Sequence, residues 1–378
     1  MIERLRAWMR EKVKQLLVAA AVLAVLGIFG ALFVMISGIV PIKASSGHWS
    51  ITEAFLQFAK RRSVATHTVG MKVPPLDEER LVLQGGGQYG FACEPCHGSP
   101  SIQQPRIAAS MLPKPPDLRR SVLTYGPEEL FYIVKHGIKL TGMPAWPAGH
   151  RDDEVWAMVA FLQRLPSLEA QAYEELTGRA RTIDDAVPLE ELLGPTPLAR
   201  KAIGENCARC HGVDGLGGPA GAFPKLAGQR AEYLAASLEA YARGARHSGV
   251  MEPIAARLGL DDMRAIGEYY ARRPAAGGHA EHGHRGDPEG RRIAEEGIPA
   301  QLIPACSECH GPAPAPERNA NYPLLAGQHA WYLESQLRLF RQKGRGGTRY
   351  HEIMHKIAGQ LSDEQVRAVA AYYASIQQ

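Results

Sequence analysis

The sequence predicts an all-α protein, with one membrane-spanning helix at the N-terminus followed by three tandem helical units. The segment 16–40 holds 25 residues without a charge, which is enough to span a ~30 Å hydrocarbon core as a helix. The rest of the chain repeats one pattern three times: a Cys-x-x-Cys-His motif, a methionine 40 to 46 residues after its histidine, and a helix-like segment after the methionine.

Composition and charge exclude several classes of protein. The 378 residues are 45% hydrophobic and 22% charged, which fits two to four packed domains. The formal net charge of +4 is small and mixed in sign, and this argues against a nucleic-acid partner. All six cysteines belong to the three motifs, so none remains for a disulfide.

The three motifs are c-type haem attachment signatures. They are Cys93-Glu-Pro-Cys96-His97, Cys207-Ala-Arg-Cys210-His211 and Cys306-Ser-Glu-Cys309-His310. The two thiols of such a motif add across the haem vinyl groups, and the histidine reaches the iron. A structural zinc site would pair two Cys-x-x-Cys units, but these motifs lie 114 and 99 residues apart and each has its own histidine. A thioredoxin-like dithiol would need a βαβ context. The sequence therefore predicts three covalently attached haem c groups.

The recurring methionines are the predicted sixth ligands of the iron. A single loop methionine more often fills a gap in a core, but recurrence after three motifs favours ligation. His351 and His355 flank Met354 and leave bis-histidine ligation as an alternative at the third site. The predicted iron ligands are His97, Met143, His211, Met251, His310 and Met354, and the haem-binding set adds Cys93, Cys96, Cys207, Cys210, Cys306 and Cys309.

The charges around the apolar segment predict its orientation. The first 15 residues carry five basic and two acidic side chains, and a single Lys43 follows the segment. The positive-inside rule then places the N-terminus in the cytoplasm and the haem domains in the periplasm, as a single-pass protein of the bacterial inner membrane. A cleaved signal peptide is the alternative, with Ala44-Ser45-Ser46 as a weak cleavage site, although 25 apolar residues exceed the ~7–15 expected of one.

A short amphipathic helix is predicted over 50–62, opened by a capping box from Ser50 to Glu53. Its apolar residues Ile51, Phe55 and Phe58 lie near one face. Two interpretations remain open: a helix lying on the bilayer or on a membrane partner, or an ordinary helix packed on the first haem domain.

The repeats set the domain boundaries. Closing helices are predicted at 152–165, 261–272 and 362–376, with Asp261 and Ser362 as N-caps. The segment around His279, His282 and His284 has two interpretations, a metal-binding cluster or a flexible solvated linker. The predicted divisions are a basic segment and anchor (1–45), an interfacial helix and linker (46–78), a first haem domain (79–170), an acidic linker (171–196), a second haem domain (197–275), a His-rich linker (276–289) and a third haem domain (290–378).

The order of helix, motif, loop, methionine and closing helix resembles the class I cytochromes c. Gly85 and Tyr89 stand eight and four residues before Cys93, where that family commonly has a glycine and an aromatic residue on its first helix. The resemblance implies that these positions cross the closing helix near Phe161. The second and third units depart from the pattern, with Ala199 and Ile203, then Ile298 and Leu302, at the same offsets.

The second and third units resemble the tandem dihaem cytochromes c of the c-four type over residues 197–378. The segment from Pro224 to Gln229 has the form Pro-x-Leu-Ala-Gly-Gln and recurs 99 residues later, from Pro323 to Gln328. The resemblance implies two His/Met haems packed close together. It also implies that a proline carbonyl accepts a hydrogen bond from each proximal histidine, with Pro219 or Pro224 in the second unit and Pro323 in the third. The first unit then corresponds to a fused monohaem domain.

A haem iron closed by histidine and methionine has no open position for substrate, which suits electron transfer rather than catalysis. The predicted function is a membrane-anchored triple-haem cytochrome c, not an enzyme, within a respiratory complex. It would carry electrons between a quinol-oxidising complex or dehydrogenase and a terminal oxidase. The alternative is a haem enzyme, a peroxidase or sulfur-compound oxidoreductase, with one open haem at the third site. A further alternative is the cytochrome subunit of a stable oxidoreductase complex.

Overall fold

The fold is taken from a computed structural model that describes residues 2–40, 43–179, 197–275, 287–311 and 319–376. The predicted metal-binding cluster of His279, His282 and His284 lies outside the described residues. The chain divides into two compact units, residues 1–53 and 54–378. In the described ranges the regular elements are helices, and β-type pairing is limited to two isolated bridges. The all-α prediction is confirmed.

The N-terminal compact unit, residues 1–53, contains one long helix, α1 (Ile2–Ser37). Its stretch Arg4–Ser37 is long and apolar enough to cross a membrane, and it is the one such helix in the described part of the chain. The apolar side chains along it are exposed, among them Leu16, Leu23 and Phe29.

The second helix, α2 (Ser50–His67), is longer than the predicted segment 50–62. Ser50 already belongs to the helix, because the Glu53 N–H donates to the Trp49 carbonyl at 2.9 Å. The prediction that Ser50 is the cap is therefore wrong. The last turns of α2 pack on the first haem domain, where His67 stacks on Tyr132 with ring centroids 5.4 Å apart.

The first haem domain is built around a crossing of two helices. A side chain at Gly85 would overlap the Ala157 carbonyl oxygen and Phe161, and the rings of Tyr89 and Phe161 lie 5.1 Å apart. The predicted crossing near Phe161 is confirmed. The helices are α3 (Glu79–Gln88), α4 (Glu94–His97), α5 (Arg106–Ala109), α6 (Leu118–Ser121), α7 (Pro127–His136), α8 (Asp152–Arg164) and α9 (Ala170–Leu176).

The predicted linker 171–196 begins later than the sequence suggested. Tyr173 on α9 is fully buried, and its hydroxyl donates to the carboxylate of Glu94 at 2.9 Å. Arg179 also pairs with Glu94. The described part of this segment, up to residue 179, therefore packs on the first domain as part of its core, and residues 180–196 lie outside the described residues.

The second haem domain keeps the same crossing with other residues. Ala199 and Ile203 are fully buried and pack with Tyr270, so small and branched side chains replace the glycine and the aromatic residue. Its closing helix begins one residue earlier than predicted, and Gly259 rather than Asp261 is the N-cap. The helices are α10 (Pro197–Ala202), α11 (Ala208–His211), α12 (Ala231–Ala242), α13 (Met251–Ala255) and α14 (Leu260–Ala271).

The third haem domain makes the crossing with a glycine at another position. A side chain at Gly290 would overlap the Ala368 carbonyl oxygen, while Ile298 and Leu302 lie in the connection between the first helix and the motif. Ser362 caps the closing helix and receives the Gln365 N–H at 3.2 Å, as predicted. The helices are α15 (Pro288–Glu296), α16 (Cys306–His310), α17 (Ala330–Arg341), α18 (His351–Gln360) and α19 (Asp363–Ser375).

The second and third domains pack through the repeated Pro-x-Leu-Ala-Gly-Gln segments. The Gln229 side chain donates to the Leu324 carbonyl at 3.0 Å and accepts from the Leu324 N–H at 2.9 Å. Gln328 makes the equivalent pair of bonds with Lys225, both at 3.0 Å. The glutamine that ends each repeat therefore binds the backbone of the other domain, and this reciprocal pairing relates the two domains.

The helix crossing gives a stability prediction. Gly85→Ala should destabilise the protein by about 1–3 kcal/mol, because the added methyl group has no space between α3 and α8. Gly359→Ala is the matched control, since it also lies in a helix but a side chain there meets nothing within 4 Å. That variant should be neutral or gain up to about 1 kcal/mol of helix propensity. Thermal unfolding followed by circular dichroism measures both, and equal midpoints would contradict the crossing.

Candidate haem sites

Each motif histidine is fixed by a hydrogen bond from its Nδ1 atom to a proline carbonyl. The distances are 2.8 Å from His97 to Pro116, 2.9 Å from His211 to Pro224 and 2.8 Å from His310 to Pro323. The bond sets the tautomer and leaves Nε2 with a free lone pair, as in histidines that bind metals. Burial also lowers the pKa of each ring, which keeps the imidazoles neutral.

These bonds decide between two candidates in the second domain and add one residue in the first. Pro224, not Pro219, accepts the bond from His211. The sequence did not single out Pro116, because it stands 19 residues after its histidine where the other two prolines stand 13 residues after theirs. It belongs to the segment that replaces the Pro-x-Leu-Ala-Gly-Gln repeat in the first domain.

A π-helical turn leads into two of the motifs, at Tyr89–Cys93 and Ile203–Cys207. No disulfide links the six cysteines, so all of them are available for haem attachment. The first cysteine of each motif, Cys93, Cys207 or Cys306, is partly buried and packs against the core of its own domain.

A single cavity of about 1170 Å³ joins the sites of the second and third domains. It exceeds the ~300–1,000 Å³ of one small-molecule or cofactor site, so it fits two large groups. Met251 opens α13 and Met354 lies in the first turn of α18. The predicted site residues on its wall are Cys207, Cys210, His211, Met251, Cys306, Cys309, His310 and Met354. In the first domain, Met143 lies in the loop between α7 and α8.

Two family models match most of the region that holds the three haem domains. The cytochrome c family matches residues 199–269 and 289–377. The family described as cytochrome C oxidase, cbb3-type, subunit III matches residues 81–162.

Three relatives match about half of the chain each. The thiosulfate dehydrogenase electron acceptor of Stutzerimonas stutzeri is 40% identical over 179 residues, which cover 46% of this chain and 79% of the relative. The protein of the same name from Thiomonas intermedia is 37% identical over 45% of this chain and 78% of its own length. Cytochrome c4 of Pseudomonas aeruginosa is 33% identical over 52% of this chain and 91% of the relative. The chain belongs to the class I c-type cytochromes. This cytochrome therefore carries covalent haem c and has an electron-transfer role.

Two buried arginines fit the cytochrome's haem propionates. Arg246 and Arg345 are 4% and 5% exposed, line the shared cavity, and have no carboxylate within ion-pair distance among the described residues. Arg246 donates to the Tyr332 hydroxyl at 2.9 Å, and Arg345 donates to the Tyr233 hydroxyl at 2.5 Å. The Nε atom of Arg345 is buried without a partner. Buried charges of one sign require counter-charges.

The positive charges of Arg246 and Arg345 also change the pKa of a neighbouring tyrosine. Burial by itself would raise the pKa of Tyr233, but the guanidinium of Arg345 and then that of Arg246 lower it to about 8. An anion between the two domains would neutralise these charges. The donor set therefore fits haem c, whose propionates are anionic, and the sequence alone did not assign these arginines and tyrosines.

The two histidines beside Met354 are both engaged elsewhere. His351 Nδ1 bonds to the Thr348 carbonyl and His355 Nε2 to the Arg345 carbonyl, each at 2.7 Å. Their second nitrogens face Glu352, at 3.3 and 3.7 Å. This geometry favours Met354 over either histidine as the residue that faces the third haem.

A partly buried carboxylate joins the first domain to the second. Glu154 on α8 accepts at one oxygen from the Ser248 hydroxyl at 2.6 Å and pairs there with Arg151 at 2.9 Å. Its other oxygen accepts from the Gly249 N–H at 2.7 Å and the Trp146 indole N–H at 3.1 Å. Trp146 follows Met143 by three residues and Ser248 precedes Met251 by three. The loops that carry the two predicted methionine ligands therefore meet at Glu154.

The buried arginines give a prediction about redox equilibria. The second and third haem domains are called the tandem pair below. Arg345→Gln should lower the midpoint potential of a haem in this pair, because a buried positive charge favours the reduced iron. A tenfold change in the equilibrium, about 59 mV for one electron, is the expected scale. Arg243→Gln is the matched control, since the Arg243 side chain is 60% exposed and pairs with Glu239. Potentiometric titration of both holoproteins tests this, and equal shifts would remove the special role of Arg345.

Proposed function

We propose that this cytochrome is a membrane-anchored carrier with three haem c groups that transfers electrons in the bacterial periplasm. The observation that carries the proposal is the repeated site: three Cys-x-x-Cys-His motifs, each with its histidine Nδ1 bound to a proline carbonyl. All three motifs lie in one compact unit, residues 54–378. When bound, haem c supplies a one-electron iron couple, and a methionine ligand raises its potential.

The proposed ligand pairs are His97 with Met143, His211 with Met251 and His310 with Met354. The cysteines of the motifs form thioethers and hold each group against its histidine. The proline carbonyls orient the rings and keep the proton on Nδ1, which directs Nε2 to the iron. A six-coordinate site of this kind holds the same ligands in both oxidation states and leaves no position for a substrate, and this supports a carrier over the haem-enzyme alternative.

The proposed location is the inner membrane, with the N-terminus in the cytoplasm. The length of α1 and the basic residues before its apolar part support an anchor with this orientation. An anchor of this kind keeps the haem domains near membrane partners and raises their effective concentration.

The proposed partners are a periplasmic dehydrogenase or quinol-oxidising complex as donor and a terminal oxidase as acceptor. Two relatives are named as electron acceptors of thiosulfate dehydrogenase, which supports a dehydrogenase of that kind as donor to the tandem pair. The likeness of residues 81–162 to an oxidase subunit supports the first domain as the exit towards an oxidase. The Glu154 contact joins these two parts of the chain.

Carbon monoxide tests the carrier proposal directly. The reduced wild-type holoprotein should not bind carbon monoxide, because the proposed histidine and methionine ligands would leave no open position at any of the three irons. Met251→Ala should keep all haem attached, since the thioethers are unchanged, but should bind carbon monoxide at one haem and lower the potential of that haem.

The control for this variant is Met263→Leu, a volume-conserving change at a core methionine that is 3% exposed. It should behave as the wild type in both carbon monoxide binding and potential. Ready binding by the wild-type protein would overturn the carrier proposal and support the haem enzyme.

The Glu154 contact predicts how the first domain communicates with the tandem pair. Glu154→Gln replaces one accepting oxygen by an amide NH2 group, which would then face other hydrogen-bond donors. The change should weaken the docking of the first domain on the second by about 1.5–3 kcal/mol. Electron equilibration between the first domain and the pair should then slow, as measured by flash photoreduction of the holoprotein. Asp153→Asn is the matched control, because Asp153 also pairs with Arg151 but is 52% exposed. Equal effects of the two changes would contradict a docking role.

A further inference from the structure

A cluster of three metal-ligating side chains lies on α18 outside the haem-binding set. His351, Glu352 and His355 form the pattern His-Glu-x-x-His at the start of this helix. Their ligand atoms all lie within 4.8 Å of one another. Histidines four residues apart share one face of a helix, and many zinc enzymes hold their metal with the two histidines of a helical His-Glu-x-x-His, in which the glutamate is a general base. Here the Glu352 carboxylate itself lies within ligand distance of both histidines.

The hydrogen bonds of the two imidazoles determine which ring nitrogens are available to bind a metal ion. His351 Nδ1 and His355 Nε2 each donate to a backbone carbonyl at 2.7 Å. In the neutral rings the opposite nitrogens, Nε2 of His351 and Nδ1 of His355, carry lone pairs. A backbone carbonyl behind the ring is the usual way in which a metal-binding histidine is oriented.

These two lone pairs converge on a carboxylate. His351 Nε2 lies 3.3 Å from Glu352 Oε1, and His355 Nδ1 lies 3.7 Å from Glu352 Oε2. While both rings are neutral, their lone pairs and the carboxylate oxygens repel one another, and either a proton on a ring or a metal ion among the three groups removes this repulsion. Metal–ligand bonds of 2.0–2.2 Å place neighbouring ligands of a tetrahedral zinc ion about 3.3 Å apart. The observed spacing is close to that value.

We propose that His351, Glu352 and His355 bind a late first-row divalent metal ion, for which Zn²⁺ is the probe. Imidazole and carboxylate ligands suit such an ion. Three protein ligands leave the fourth position to water. The Glu352 side chain is 76% exposed and that of His351 28%, so the ion reaches the site from solvent. The three side chains are not among the predicted haem ligands, although Met354 lies between the two histidines on the same helix.

The test is calorimetric titration of the haem-loaded full-length protein with Zn²⁺. The substitutions at the proposed site are made in a background variant in which alanine replaces His279, His282 and His284. This background lacks the other histidine cluster. This background should bind one equivalent of Zn²⁺. His351→Ala and Glu352→Gln should each weaken binding at least tenfold, since even indirect partners of a metal are worth ~10–100-fold in affinity.

The matched control is Glu364→Gln, at a glutamate whose side chain is 78% exposed, and it should leave the affinity unchanged. Glu352→Gln alters an exposed side chain, so its haem content should match the background and separate loss of metal from loss of fold. X-ray absorption at the zinc edge should show nitrogen and oxygen ligands. Unchanged affinity in both site variants, a background that binds no zinc, or sulfur in the first coordination shell would overturn the proposal.

Discussion

The hydrogen bond from a motif histidine to a proline carbonyl is the interaction on which each haem domain depends. It joins the short helix of the motif to the loop that follows it. Because Nδ1 is held by the carbonyl, Nε2 of each ring can face in only one direction, which is where the proposed iron site would lie. The same bond occurs in all three domains although the loop is longer in the first. The conformation of each loop is therefore constrained by the ring orientation that the iron requires.

The contact between the two domains of the tandem pair buries positive charge. Reciprocal bonds from Gln229 and Gln328 satisfy backbone groups across the contact. Arg246 and Arg345 lie behind them and pair through an isolated bridge of their backbones. Two guanidinium groups so close and so buried are unfavourable by themselves. The arrangement fits anionic groups in the shared cavity, such as the propionates of haem c, and it would join the interface and the haem sites electrostatically.

Much of this could be predicted from the sequence because haem attachment leaves a local signature. The motifs and the order of elements follow from short spacings, and the resemblance to the class I cytochromes c implied the helix crossing at Gly85. In the third domain, the positions eight and four residues before the first cysteine did not locate the helix crossing. A connection separates the first helix from Cys306 there, and the glycine at the crossing is Gly290. Tyr173 was missed for another reason: one buried tyrosine in a polar stretch gives no periodic signal. Arg246 and Glu154 each have a hydrogen-bond partner in another domain, and no spacing along the chain reveals such contacts.

The three consecutive glycines of α3 have a consequence for how the first domain packs. A glycine within a helix costs about 1 kcal/mol relative to alanine, so this helix is intrinsically weak. Gly85 and Gly86 allow close contact with Phe161 in the same domain, whereas a side chain at Gly87 would come within 3.0 Å of Cys210 Sγ in the second. The packing of α3 is therefore completed by the neighbouring domain. Its first two glycines fit the helix to Phe161 of its own domain, and the third fits it to the haem motif of the second domain.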